Sequence, residues 1–157
     1  MQAIRKRPED VAGANLGHYD KIRTEFSWEQ ARKLLDGFSD GALNIAHEAV
    51  DRHVAKGLGD KVAIRWIAKD ETRFDFTYAD LKAQTNRFAN VLTELGLGKG
   101  TRVYSFMGRA PELYIGALGA LKAGAVFCPM FSAFGPEPVT ARMSIGAAEV
   151  LITTEAL

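Results

Sequence analysis

Cysteine is nearly absent from this sequence. Cys128, alone among 157 residues, cannot close an internal disulfide, and no second thiol exists to build a zinc site. Histidine is scarce as well: His18, His47 and His53 are the only three, and the last two stand six apart, on different sides of any helix carrying both. No metal site is therefore expected. Charge of one sign is also lacking, since 20 basic side chains meet 19 acidic ones for a net charge of +1, with no basic run to grip nucleic acid. Arg5, Lys6, Arg7, Lys21 and Arg23 are interleaved with Glu9, Asp10 and Asp20, which reads as a solvated surface. No apolar stretch follows Arg5-Lys6-Arg7 to make a signal peptide. The most apolar segment, Leu113 to Met130, is broken by Lys122, three glycines and Pro129, so it reads as a buried helix and strand and not as a membrane span. A soluble cytoplasmic protein without nucleic-acid or membrane partners is the expectation.

What is present is ordinary globular sequence, 47% hydrophobic and 25% charged, which excludes disordered, collagen-like and coiled-coil chains. The length suits one domain able to bury a core. Residues 1–26 lack sustained periodicity and are read as an extended lead-in anchored by Tyr19 and Phe26. Ser27-Trp28-Glu29-Gln30 has capping-box spacing and opens a short helix to Asp36, stopped by Gly37. A second helix is expected from Asn44 to Lys56, ended by Gly57, with Leu43, Ala46, Val50 and Val54 inward.

The period then changes. Val62, Ile64 and Trp66 alternate with Ala63, Arg65 and Ile67, as Phe74 and Phe76 alternate with their neighbours, and a β-hairpin joins them. Thr77-Tyr78-Ala79-Asp80 is a second capping box, leading a helix that ends at Gly96. A strand at Arg102 to Met107, a helix opened by Pro111, a strand at Ala125 to Cys128, a helix toward Gly146 and a strand at Glu149 to Thr153 complete the order. Strands alternating with helices imply an α/β fold with a mainly parallel sheet built from βαβαβ units. Ligands of such sheets bind on the loops after the strands, and this chain stops where the next loop would begin. The sequence reads as cut short.

The obvious chemistry-bearing motifs fail one by one. Gly96-Leu97-Gly98-Lys99-Gly100-Thr101 joins a helix to a strand and lacks phosphate-loop spacing, so it is a helix end and turn. Gly57-Leu58-Gly59-Asp60 is the same device. No G-x-G-x-x-G and no G-x-S-x-G occurs. Asp51-Arg52-His53 sets acid, cation and imidazole in a row, but adjacent helical residues do not face each other. Cys128 lies in an apolar run, where a thiol is inert. Phe131-Ser132-Ala133-Phe134-Gly135-Pro136-Glu137 remains: it follows a strand and precedes a helix, on the ligand side of the sheet. A loop packed on another part of the protein fits those residues equally well.

Phe76-Thr77-Tyr78-Ala79-Asp80-Leu81 resembles the first core motif of adenylate-forming enzymes, and Leu121-Lys122-Ala123-Gly124-Ala125-Val126-Phe127-Cys128-Pro129 resembles their second, in the same order and at similar spacing. Leu43-Asn44 with Asp51-Arg52-His53, and Arg109-Ala110-Pro111-Glu112-Leu113, resemble segments of the AMP-forming acetyl-coenzyme A synthetase subgroup. On that resemblance, residues 27–157 are the N-terminal portion of the family's large AMP-binding domain, truncated at its C-terminal end, behind the lead-in of residues 1–26.

The resemblance implies a parent enzyme that uses ATP, Mg and coenzyme A to turn a short-chain carboxylate into its acyl-CoA through an acyl-adenylate. The family's Ser/Thr/Gly-rich phosphate loop ending Pro-Lys-Gly has no counterpart in this sequence, so no catalytic residue is assigned and the isolated chain is expected to be inactive, with no cofactor bound. One family contact carries over. A Phe-Gly-Gly turn lies against the coenzyme A nucleotide in acetyl-CoA synthetases, and it corresponds to Phe131, Ser132 and Ala133. Both glycines are replaced, and the added side chains work against close backbone approach. Two other readings stand beside this one: a non-catalytic binding or oligomerisation module that self-associates through an exposed sheet edge, and a stand-alone nucleotide-binding domain.

Overall fold

The computed structural model describes residues 18–155 together with Arg7, Glu9 and Ala12. The chain divides into two compact units, one up to Asp36 and one from Gly37 onward. In the first, α1 (Tyr19–Glu25) and α2 (Trp28–Lys33) are short helices without a buried residue. The α1 helix corrects the extended reading of this stretch. Tyr19, Ile22 and Phe26 do recur at helical spacing, and the Thr24 hydroxyl donates to the carbonyls of Asp20 and Lys21, closing the turn locally. The rest of the expected lead-in, residues 1–17 apart from those three, lies outside the described residues. Ser27 caps α2 as its spacing suggests, accepting from the Gln30 amide. The helix stops short of Asp36, because the Leu34 and Leu35 amides tighten onto Ala31 and Arg32.

The second unit opens with helix α3, residues 45–58. The Asn44 side chain accepts from the amides of Ala46 and His47, as an N-cap should. A wide π-helical stretch, His47–Asp51, interrupts it, and Gly57, at a left-handed φ of 80°, breaks the helical backbone near its far end, where the sequence placed the stop. Ala46 and Val50 are buried and Leu43 is exposed. Strands β1 (Val62–Ile67) and β2 (Arg73–Thr77) form the expected antiparallel hairpin. The full capping box of Thr77 and Asp80 then starts α4 (Tyr78–Glu94).

Strands β3 (Arg102–Phe106), β4 (Val126–Met130) and β5 (Val150–Thr153) make a parallel sheet in the order β4-β3-β5. Helix α5 (Pro111–Lys122) links β3 to β4, and α6 (Pro136–Ile145) links β4 to β5. This is the α/β fold expected, with the hairpin as a separate small sheet. The core lies on one face, where Leu92, Val103, Ala120 and Ala125 are buried among Phe88, Phe127, Val150 and Ile152. Strand alternation sends Tyr104, Phe106, Cys128, Leu151 and Thr153 to the other face, under α6.

Two glycines permit close approach there and in the core. A Cβ on Gly119 would lie 2.9 Å from the Thr85 carbonyl oxygen, which is how α5 reaches α4. A Cβ on Gly146 would overlap the Tyr104 hydroxyl at 1.7 Å. The helix toward Gly146 does end there, with Gly146 as its C-cap at an ordinary φ of −83°, and the left-handed residue is Ala147, at φ 47°. The sheet edges differ. The Val126 amide donates inward to Thr101, so by alternation the amides of Cys128 and Met130 also turn inward, leaving positions 127 and 129 to face outward. Position 129 is proline and has no donor to offer.

Candidate functional site

The carboxyl ends of β3, β4 and β5 open onto a cleft of about 610 Å³ on the α6 face. Phe106, Leu151 and Thr153 come from the strand ends, Ser132, Ala133 and Phe134 from the turn after β4, and Val139 and Thr140 from α6. The turn is closed by the Phe134 amide donating to the Phe131 carbonyl at 3.0 Å, which makes Ser132 and Ala133 its two central residues. Neither needs a left-handed backbone: among the described residues, Glu71 and Ala147 are the non-glycine positions with positive φ.

Aromatic contacts brace the turn. Phe131 meets Phe134 edge-to-face with centroids 5.7 Å apart, and the Arg142 guanidinium sits 4.2 Å above the Phe134 ring. Of the three residues singled out in the sequence, Ser132 and Ala133 line the cleft, while Phe131 stands beside it, 65% exposed. Beneath α6, Tyr104 donates from its hydroxyl to the Arg142 carbonyl at 3.3 Å, and burial, with Cys128 alongside, pushes its phenol above the usual value. The lining carries hydroxyls from Ser132, Thr140 and Thr153 and no ionisable side chain. Such an open, largely apolar surface can hold an uncharged group. It supplies neither a nucleophile with a base nor a charged clamp.

Residues 51–157 match the family described as AMP-binding enzyme. The chain belongs to the AMP-binding enzyme family. It is 40% identical over 145 residues to the acetyl-coenzyme A synthetase of Bacillus subtilis strain 168, covering 91% of this chain and 25% of that protein. It is 39% identical over 156 residues to the acetyl-coenzyme A synthetase of Streptomyces coelicolor, covering 94% and 24%. The crystal structure of a Brucella canis acyl-CoA synthetase superposes with a TM-score of 0.81 at 33% identity, covering 88% of this chain and 25% of that one. This AMP-binding chain thus spans about a quarter of the length of the curated relatives it matches.

The motifs that carried the resemblance have structural work in this AMP-binding fold. Thr77 and Asp80 of the first motif cap α4, and Asp80 is held below the usual carboxylate range by its bonds to Thr77. Lys122 of the second donates to Asp51 at 2.8 Å and to Asn86 at 2.6 Å, and the Asn44 amide donates to the Leu121 carbonyl at 2.7 Å. Asp51, read from the sequence as part of a local charge row, is thus tied 71 positions away. The reading also missed the bracing of Phe134 by Arg142, eight positions on in the next helix. Aromatic and arginine in that order was the only signal available. Among the described residues, no helix is long and apolar enough to cross a membrane.

Proposed function

We propose that this chain is the N-terminal portion of an acetyl-CoA synthetase-like ligase, with residues 27–157 beginning its large AMP-binding domain. The whole enzyme converts ATP, a short-chain carboxylate and coenzyme A into acyl-CoA, AMP and pyrophosphate through an acyl-adenylate. The observation that carries this reading is the match to acetyl-coenzyme A synthetases along 91% of this chain but only a quarter of theirs. Among the described residues no three His, Cys, Asp or Glu side chains converge. ATP and magnesium belong to segments outside this chain.

The 157-residue chain by itself is inactive on this reading. Purified protein should give no acetate-dependent ATP–pyrophosphate exchange, and measurable exchange would overturn the assignment. The turn at Phe131, Ser132 and Ala133 is the contact for coenzyme A in the whole enzyme, supported by its place beside the cleft at the strand ends. Restoring glycine at positions 132 and 133 of the full-length enzyme should lower KM for coenzyme A while leaving KM for ATP alone. An unchanged KM for coenzyme A removes the contact.

A second reading, a non-catalytic assembly module, draws on the outer edge of β5, which pairs with no strand among the described residues. The coding sequence after codon 157 separates the two. A Gly/Ser/Thr-rich stretch ending Pro-Lys-Gly belongs to the ligase, and a stop codon to the module.

A further inference from the structure

A second cavity, of about 570 Å³, lies between β1 and the start of α5, next to the loop that leaves the carboxyl end of β3. Where the α6-side cleft has no ionisable lining, this one has two arginines, Arg65 and Arg109, with Trp66 and Tyr114 beside them. Its walls are fixed. The Trp66 indole N–H donates to the Arg109 backbone carbonyl at 2.9 Å, and the indole packs on Phe74 with centroids 5.7 Å apart. Arg65 is committed to Asp75 through two 2.7 Å bonds, which hold the Asp75 carboxyl below its usual range. Asp75 therefore neutralises Arg65 and leaves Arg109 without a carboxylate partner among the described residues. Tyr114, 52% exposed, keeps its hydroxyl uncommitted.

We propose that this cavity binds a small planar anion, a ring bearing a compact oxyanion group such as a carboxylate or phosphate. The ring lies along Trp66 and Tyr114, and the oxyanion takes the guanidinium of Arg109. The planar fork of arginine matches both oxyanions, aromatic walls match a ring, and the volume falls within the range of small-molecule sites. Arg109 itself stands in the loop that follows the carboxyl end of β3, where open α/β sheets place ligand-binding residues. Nothing in this assignment depends on the ligase reading.

The chain contains two tryptophans, so the indole N–H region of a ¹⁵N NMR spectrum carries two side-chain signals. Trp28, 82% exposed on α2, is the internal control. Titration with benzoate or with phenyl phosphate should shift the Trp66 signal saturably and leave Trp28 in place, and a response to only one of them identifies the oxyanion. Benzyl alcohol, which keeps the ring and loses the charge, should bind at least about tenfold more weakly, and so should both anions to Arg109→Gln. That variant retains the backbone carbonyl on which Trp66 rests. The proposal is overturned if neither anion gives saturation, if the alcohol binds as well as the anions, or if Arg109→Gln binds them unchanged.

Discussion

Alanine at Gly119 sets helix propensity against collision, and Gly116, one turn earlier in α5, supplies the control. Both glycines are buried, and neither has a left-handed backbone, so each should gain about 1 kcal/mol of helix propensity on substitution. Their surroundings differ. At Gly116 the new methyl would meet only the Cδ1 of Ile152, at 3.0 Å, the free end of a side chain that can turn aside. At Gly119 it would lie 2.8 Å from Phe88 Cδ1, 3.0 Å from Phe88 Cβ and 2.9 Å from the Thr85 carbonyl oxygen. The Phe88 ring can swing, but the carbonyl belongs to the middle of α4 and moves only with the helix. Overpacking costs about 1–3 kcal/mol, and a backbone collision belongs toward the upper end, so Gly119→Ala should lose about 1–2 kcal/mol net of propensity. For a chain of this size that is a fall of about 2–8 °C in Tm. Gly116→Ala should stay within about 0.5 kcal/mol of the parent or rise above it. Thermal and urea unfolding followed by far-ultraviolet circular dichroism measure both. If Gly119→Ala is as stable as Gly116→Ala, the close approach of α5 to α4 does not have the rigidity argued for it.

Ala147 holds φ 47° at the end of α6, so Ala147→Gly should stabilise by about 1 kcal/mol, read as a higher urea midpoint with an unchanged slope. Asp80 is held below its ordinary value of 3.8 by hydrogen bonds from Thr77. A carboxylate depressed in the folded state stabilises above its unfolded pKa, and that contribution drains away as pH falls below about 4 toward the folded value. Asp80→Asn should therefore lower stability at neutral pH and flatten the pH dependence of Tm between about pH 5 and 2, and an unchanged profile would count against the capping-box account.

Much of the fold could be read because its signals are local. The alternation at residues 62–67, the Thr77–Asp80 spacing and the proline opening α5 each act within a few residues and need no tertiary partner. The strand order β4-β3-β5 is a matter of crossovers, and periodicity is blind to it. Gly146 shows the limit most clearly. A glycine after a helix reads as a left-handed terminator, yet here it makes room for Tyr104, 42 positions earlier, and the neighbouring alanine takes the strained backbone. The α1 helix was missed because three apolar residues over two turns are too few to rise above noise. Of the candidate site, the turn after β4 was legible from its place between strand and helix. The cleft beside it was not, since its walls come from β3, β5 and α6, and their convergence is set by packing.

The proline in β4 also bears on how large an assembly this sheet can form. Two copies joined along β5 would make one continuous six-stranded sheet about a two-fold axis, with β4 as the outermost strand at both ends. Each of those ends lacks the donor at Pro129, so a third copy would meet an incomplete ladder on either side. The missing donor would weaken, at both ends, the edge that a third copy would have to use.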